Sequence, residues 1–64
     1  MKIKYDKEVD VLYIRFSESE IHDSSEDKPG IIIDYAENGS IVGIEILNAS
    51  KQTGNPAKFE YEVA

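Results

Sequence analysis

From Gly30 to Leu47 the chain reads GIIIDYA, then Glu37-Asn38-Gly39-Ser40, then IVGIEIL: two apolar runs around a polar turn. Asn-Gly between two such runs predicts a two-residue hairpin loop, because a type I′ turn needs φ > 0 at both central residues. That loop sets a register. Tyr35 faces Val42, Ile33 faces Ile44 and Ile31 faces Ile46 on one side of the sheet. Asp34 opposite Gly43 and Ile32 opposite Glu45 take the other side. Gly43 within a strand predicts a bulge or a close approach of another group.

A second hairpin is written into residues 2–16. Lys2 to Asp6 alternates, with Ile3 and Tyr5 on one side and Lys2 and Lys4 on the other. Val9 to Phe16 (VDVLYIRF) is rich in β-branched and aromatic residues, which suit a pleated strand. A four-residue loop, Lys7 to Asp10, pairs Tyr5 with Leu12 and Ile3 with Ile14. Val11, Tyr13 and Arg15 then share the opposite face with Lys2, Lys4 and Asp6.

The remaining segments are less patterned. Ser17 to Lys28 (SESEIHDSSEDK) is Ser-rich and acidic. It is either a mobile loop or a short, irregular edge strand around Glu20 to Asp23 that charge protects from aggregation. Pro29-Gly30 ends it. Asn48 is placed to cap a short helical turn near residues 48–53, which Gly54-Asn55-Pro56 stops. Lys58 to Val63 (KFEYEV) alternates again and reads as a fifth strand or an arm.

These elements predict a mainly β chain, with a small α+β arrangement as the alternative: a single domain over residues 1–64, two successive hairpins and a C-terminal strand. One sheet face is strongly apolar, built from Ile3, Tyr5, Leu12, Ile14, Ile31, Ile33, Tyr35, Val42, Ile44 and Ile46. Fully burying such side chains is worth about 1.5–3 kcal/mol each. No long helix is available to cover them. Either the C-terminal strand folds over this face or a second copy does, as two sheets packed into a small sandwich. The homodimer is the expected solution, because a domain of this size buries only about 60% of its unfolded surface.

Charge and composition narrow the partners. Seven Lys/Arg against thirteen Asp/Glu leave a formal net charge of −6, and there are no cysteines. Disulfides and Cys-based metal sites are therefore excluded. The acidic balance argues against direct nucleic-acid binding, which neutralises phosphates, and suits a small basic protein partner. MKIKYDKEVD holds no apolar leader run, and no stretch approaches the roughly 18 apolar residues of a membrane span. The expected location is cytoplasmic, away from membranes.

Candidate chemistry is sparse. Asp6, Glu8 and Asp10 alternate like the start of a calcium loop, but the sixth and twelfth positions are Val11 and Ser17, not the Gly and Glu such a loop needs. Asp6 accepting backbone N–H bonds in a turn explains it as well. Asp34 and Glu45 share a face, as a glycosidase-like carboxylate pair would, yet a domain this small offers little wall for a cleft. Asp34 paired with Arg15 or a lysine is the structural alternative. His22, beside Asp23, is the only histidine. It has no second imidazole for a zinc site, and Ser17, Ser19, Ser24 and Ser25 lie in a segment too irregular for triad geometry. Gly39 and Gly43 do not form a phosphate loop. Of Tyr5, Tyr13, Tyr35 and Tyr61, only Tyr13 shares its strand face with a basic residue, Arg15; the others suit cores and interfaces. No residue set is assigned a catalytic, cofactor-binding or metal role.

YDKEVDVLYIRF, then PGIIIDY, then a polar turn and VGIEILNASK resemble the YuzE-like family of small prokaryotic proteins, the domain of unknown function 2283. The resemblance covers about residues 3 to 51. It rests on Tyr5-Asp6, on Asp10 with Leu12-Tyr13-Ile14, on Gly30 before a strand ending Asp34-Tyr35, and on Gly43-Ile44-Glu45-Ile46-Leu47 running into Ala49-Ser50. It implies a compact β-rich domain and no established activity. It also implies an association with toxin–antitoxin-like pairs, in which some relatives are the small acidic member. Many relatives continue as a helix after the Ala-Ser-Lys stretch, whereas Gly54-Asn55-Pro56 interrupts here.

The expected function is therefore a protein-interaction module, binding through an edge strand or through the Ser17–Lys28 segment, in antitoxin-like fashion by resemblance. Two alternatives stand beside it. One is a small metal-binding or hydrolytic protein using Asp6, Asp10, Asp34, His22 or Glu45. The other is a structural homodimer whose only partner is its own copy.

Overall fold

A computed structural model describes residues 1–64. Five antiparallel strands form one sheet: β1 (Lys2–Asp6), β2 (Val11–Arg15), β3 (Asp23–Lys28), β4 (Ile31–Tyr35) and β5 (Ile41–Leu47), followed by a one-turn helix, α1 (Ala49–Thr53). The strand order is β1-β2-β5-β4-β3, so the last strand sits in the middle and joins the two hairpins. The mainly β, two-hairpin reading of the chain is thus observed.

The N-terminal hairpin has the expected register, Ile3 opposite Ile14 and Tyr5 opposite Leu12, across the loop of residues 7–10. Asp10 closes that loop in the left-handed region at φ 56°. The central hairpin pairs Ile31 with Ile46, Ile32 with Glu45, Ile33 with Ile44 and Asp34 with Gly43, also as the pattern predicts.

Its turn differs. Ala36 N donates to Ser40 O (2.8 Å) and Gly39 N to Ala36 O (2.9 Å), closing a three-residue loop instead of a two-residue one. Only Gly39 takes positive φ there, at 87°. The Asn38 carboxamide oxygen instead accepts from the Ser40 amide and hydroxyl at 3.0 and 2.7 Å, which braces the loop without positive φ at Asn38. The longer loop moves Tyr35 opposite Ile41, not Val42. A bulge at Val42 absorbs the extra residue and restores the register from Asp34 onward. The carbonyl of Val42 accepts from Phe16 N and Ser17 N at 2.7 and 3.3 Å, and its side chain is fully buried.

Two other expectations are corrected. The strand in the acidic segment runs over Asp23–Lys28 and so starts three residues later than the strand read from sequence around Glu20 to Asp23, because Ser24, Ser25 and Glu26 pair with Asp34, Ile33 and Ile32. The C-terminal segment forms no strand. The fifth strand is β3, which occupies the β4 edge, and Phe59, Tyr61 and Val63 remain 59, 76 and 77% exposed.

The sheet is a single layer. Across β1, β2, β5 and β4, Ile3–Ile14–Ile44–Ile33 and Tyr5–Leu12–Ile46–Ile31 make two apolar rows on one face. All eight side chains are only half-buried. Val42 and Ala49 are the only hydrophobic residues buried completely.

Candidate functional site

The polar face of the sheet carries its most constrained group. Asp34 is 3% exposed, although it sits in a sheet with no second layer. The β2–β5 and β4–β5 registers explain how: Arg15, Gly43, Asp34 and Ser24 lie in one row, and Tyr13, Glu45, Ile32 and Glu26 in the next. Gly43 has no side chain, so the Tyr13 ring lies across it and its hydroxyl donates to Asp34 Oδ2 at 3.2 Å. From the other side Ser24 Oγ donates to Oδ1 at 2.6 Å. A Cβ on Gly43 would stand 2.8 Å from both the Tyr13 hydroxyl and the Ile14 carbonyl. The close approach expected at Gly43 is therefore the Tyr13 ring, seated beside a bulge.

Charge around this network follows from burial. Desolvation, and then the Asp34 carboxylate, hold the Tyr13 phenol above its ordinary value, so it remains a donor. Glu45 is pushed up by burial first and by Asp34 second. Asp34 does not pair with Arg15 or with a lysine. Arg15 instead donates from Nε to Ser17 O (2.8 Å) and from Nη2 to Ser19 O (3.0 Å), pinning the chain as it leaves β2. Beside Tyr13 and Glu45, a shallow depression of about 320 Å³ is lined also by Lys4, Asp6, Val9 and Val11. It is open to solvent and lacks the walls of a substrate cleft.

The carboxylates of the first loop separate into two tasks. Asp6 Oδ1 accepts the Glu8 amide at 3.0 Å, the turn-stabilising bond expected of it. Asp10 reaches across the fold. Its Oδ1 accepts from Tyr5 OH at 2.7 Å and from Ser50 N at 3.0 Å, and Oδ2 accepts from Ser50 Oγ at 2.7 Å. Its carbonyl takes the Ala49 amide at 2.9 Å. Asp10 thus caps α1, whereas Asn48, at φ 51°, makes no side-chain cap. The bonds from Ser50 first, and then from Tyr5, hold the Asp10 carboxyl below the ordinary aspartate range. Its capping role escapes sequence reasoning because the acceptor lies forty positions from the amide it serves.

His22 is exposed, just before β3, and its backbone N–H donates to Tyr35 O at 2.8 Å. With Glu20, Ile21 and Glu37 it lines a small depression of about 200 Å³. No three His, Cys, Asp or Glu side chains converge as metal ligands. Of the serines near His22, Ser24 is engaged with Asp34 and Ser25 with Asp27 at 2.8 Å. Tyr35 donates to the other oxygen of Asp27 at 3.4 Å. The outer edge of β3 pairs with no other strand. Every residue of β3 except Ser25 is exposed. The sheet has two edges, β1 and β3, and at β3 the two surfaces considered from sequence, an edge strand and the Ser17–Lys28 segment, coincide.

A family model described as a protein of unknown function, DUF2283, matches residues 2–50. The chain belongs to this family. The DUF2283 match holds all five strands, the Tyr13–Asp34–Ser24 network and both partners of the Asp10–Ser50 link, and it ends before the C-terminal arm. The chain is also similar to the uncharacterized protein MJ0789 of Methanocaldococcus jannaschii, 49% identical over 51 residues, or 80% of this chain. It spans 43% of that relative's length. No solved structure matches. No helix is long and apolar enough to cross a membrane.

Proposed function

We propose that this DUF2283 chain is a non-catalytic protein-interaction module, and that the acidic edge strand β3 receives a small basic protein partner. The observation that carries this reading is the combination of an unpaired strand edge with its charge. Asp23, Glu26 and Asp27 lie on β3, and Glu18 and Glu20 precede it. A strand added there would gain main-chain hydrogen bonds, while basic side chains met the carboxylates. The polar clusters favour a hydrolytic reading less. Asp34 is buried behind Tyr13 and Ser24, and Asp10 is committed to α1. An antitoxin-like pairing is the sharpest form of the proposal, and it is supported by the family resemblance alone.

The test uses the tagged full chain as bait in lysate of its native host, at moderate and at high salt, beside an Asp23→Lys/Glu26→Lys variant. Stoichiometric recovery of one small basic protein, lost at high salt and in the variant, is the expected result. If β3 carries charge only to protect its edge, the chain is recovered alone, and the reading fails.

A further inference from the structure

We infer that a second copy of this chain closes the isoleucine face, the two sheets packing face to face with residues 57–64 of each copy as the rim. This inference concerns a different surface from β3 and stands independently of the partner proposed there.

The surface area supports it first. The chain exposes 4997 Å², about 900 Å² more than the roughly 4100 Å² of a compact monomer of 7.2 kDa. That excess is close to the ~800 Å² each partner contributes to a stable interface. The Cα radius of gyration, 12.3 Å, likewise exceeds the ~10.7 Å expected for this length. A domain normally has at least two packed layers around its core, and this one has a single sheet.

The chemistry of the face selects the occupant. Its two rows over β1, β2, β5 and β4 contain no charged side chain; the charges sit on the opposite face, on β3 and in the loops. A basic partner would find nothing there to complement. An identical apolar face does fit, as a two-fold interface in which each patch meets its own copy. Sheets stacked about 10 Å apart leave the two charged outer faces farther apart than the ~8 Å screening length, so a net charge of −6 per copy does not forbid pairing.

The arm completes the area. Phe59 and Tyr61 line, with Met1 and Ile3, an apolar depression of about 320 Å³ at the β1 margin of this face. The face alone measures about 19 by 17 Å from strand spacing and rise, roughly two-fifths of an interface share. The three exposed apolar residues of the arm extend it.

Sedimentation equilibrium of the full chain tests this, with two variants. The wild type is expected at twice the 7.2 kDa protomer mass, with association undiminished between low and high salt. Ile44→Lys, at the centre of the face, is expected to be monomeric with its β circular dichroism retained. Phe59→Ser/Tyr61→Ser lies outside the sheet and cannot unfold it, and it is expected to weaken the dimer tenfold or more. A wild type at protomer mass at every concentration overturns the inference. So does a dimer that dissociates in salt or that survives both variants. Whether a basic protein binds β3 is read separately, by the Asp23→Lys/Glu26→Lys variant, so the two proposals fail independently.

Discussion

Asp10 and Ser50, forty positions apart, are joined twice, amide to Oδ1 at 3.0 Å and hydroxyl to Oδ2 at 2.7 Å. The pair ties the β1–β2 loop to the first turn of a helix too short to stand alone. Ser50→Ala removes the hydroxyl bond. It is expected to lower Tm by about 4–8 °C in a thermal scan, the effect of one lost cap in a small domain. Combined with Asp10→Asn, the losses should be clearly non-additive, because both changes break the same link.

The same link predicts an acid-sensitive term. The folded Asp10 carboxyl lies below its ordinary value. Its contribution is therefore complete above the unfolded pKa of about 3.9 and is lost as pH falls from there through the depressed folded value. Thermal scans from pH 6 down to acid should show wild type losing its advantage over Asp10→Asn in that window and nowhere above it.

Gly43 is the position least able to accept a side chain. An added Cβ would lie 2.8 Å from the Ile14 carbonyl, which is backbone and cannot swing away, as well as from the Tyr13 hydroxyl. Gly43→Ala should destabilise the fold by about 1–3 kcal/mol in urea unfolding, the usual cost of overpacking. Adding Tyr13→Phe should not rescue it, since the Ile14 oxygen remains.

Glu45 works in the opposite sense to Asp10. Burial and Asp34 raise its folded pKa, so the folded state binds this proton more tightly than the unfolded chain does. Its contribution declines as pH rises from the unfolded value of about 4.3 through the raised folded value. Glu45→Gln should raise Tm by a few degrees at neutral pH and lose that advantage in acid. Equal melting temperatures at pH 7 would refute the assignment.

The turn gives a backbone prediction. Gly39 alone holds positive φ in this loop, while Asn38 contributes its side-chain oxygen to Ser40. Gly39→Ala should cost about 1 kcal/mol through backbone strain. Asn38→Ala should cost less, because it removes only exposed hydrogen bonds. A type I′ turn would make both residues expensive, so the two unfolding midpoints distinguish the geometries.

Much of the sheet was legible because it depends on short-range patterns. Alternation assigned β1, β2, β4 and β5 to their faces, and the Lys7–Asp10 loop length set the first register. Asn38-Gly39 located the central turn but gave its type wrongly, since the Asn38 side chain stabilises a three-residue loop. The register survived only because the bulge at Val42 compensates. At Lys58–Val63 the alternation was real, yet no strand formed: β3 takes the edge beside β4, and the segment does not pair with the free edge of β1. The Tyr13–Asp34 contact was out of reach, because it depends on β2 lying beside β5.

By itself, then, the sequence determined the local elements, the apolar and polar faces and the acidic balance, all of which follow from residue type and spacing within a few positions. Tertiary structure alone decided that β5 joins the two hairpins, that Asp10 rather than Asn48 caps α1, and that Asp34 is buried under Tyr13. Each of these joins segments separated by long stretches of chain. Strand order and cross-sheet neighbours have no periodic signature, so they emerge only when the whole sheet pairs.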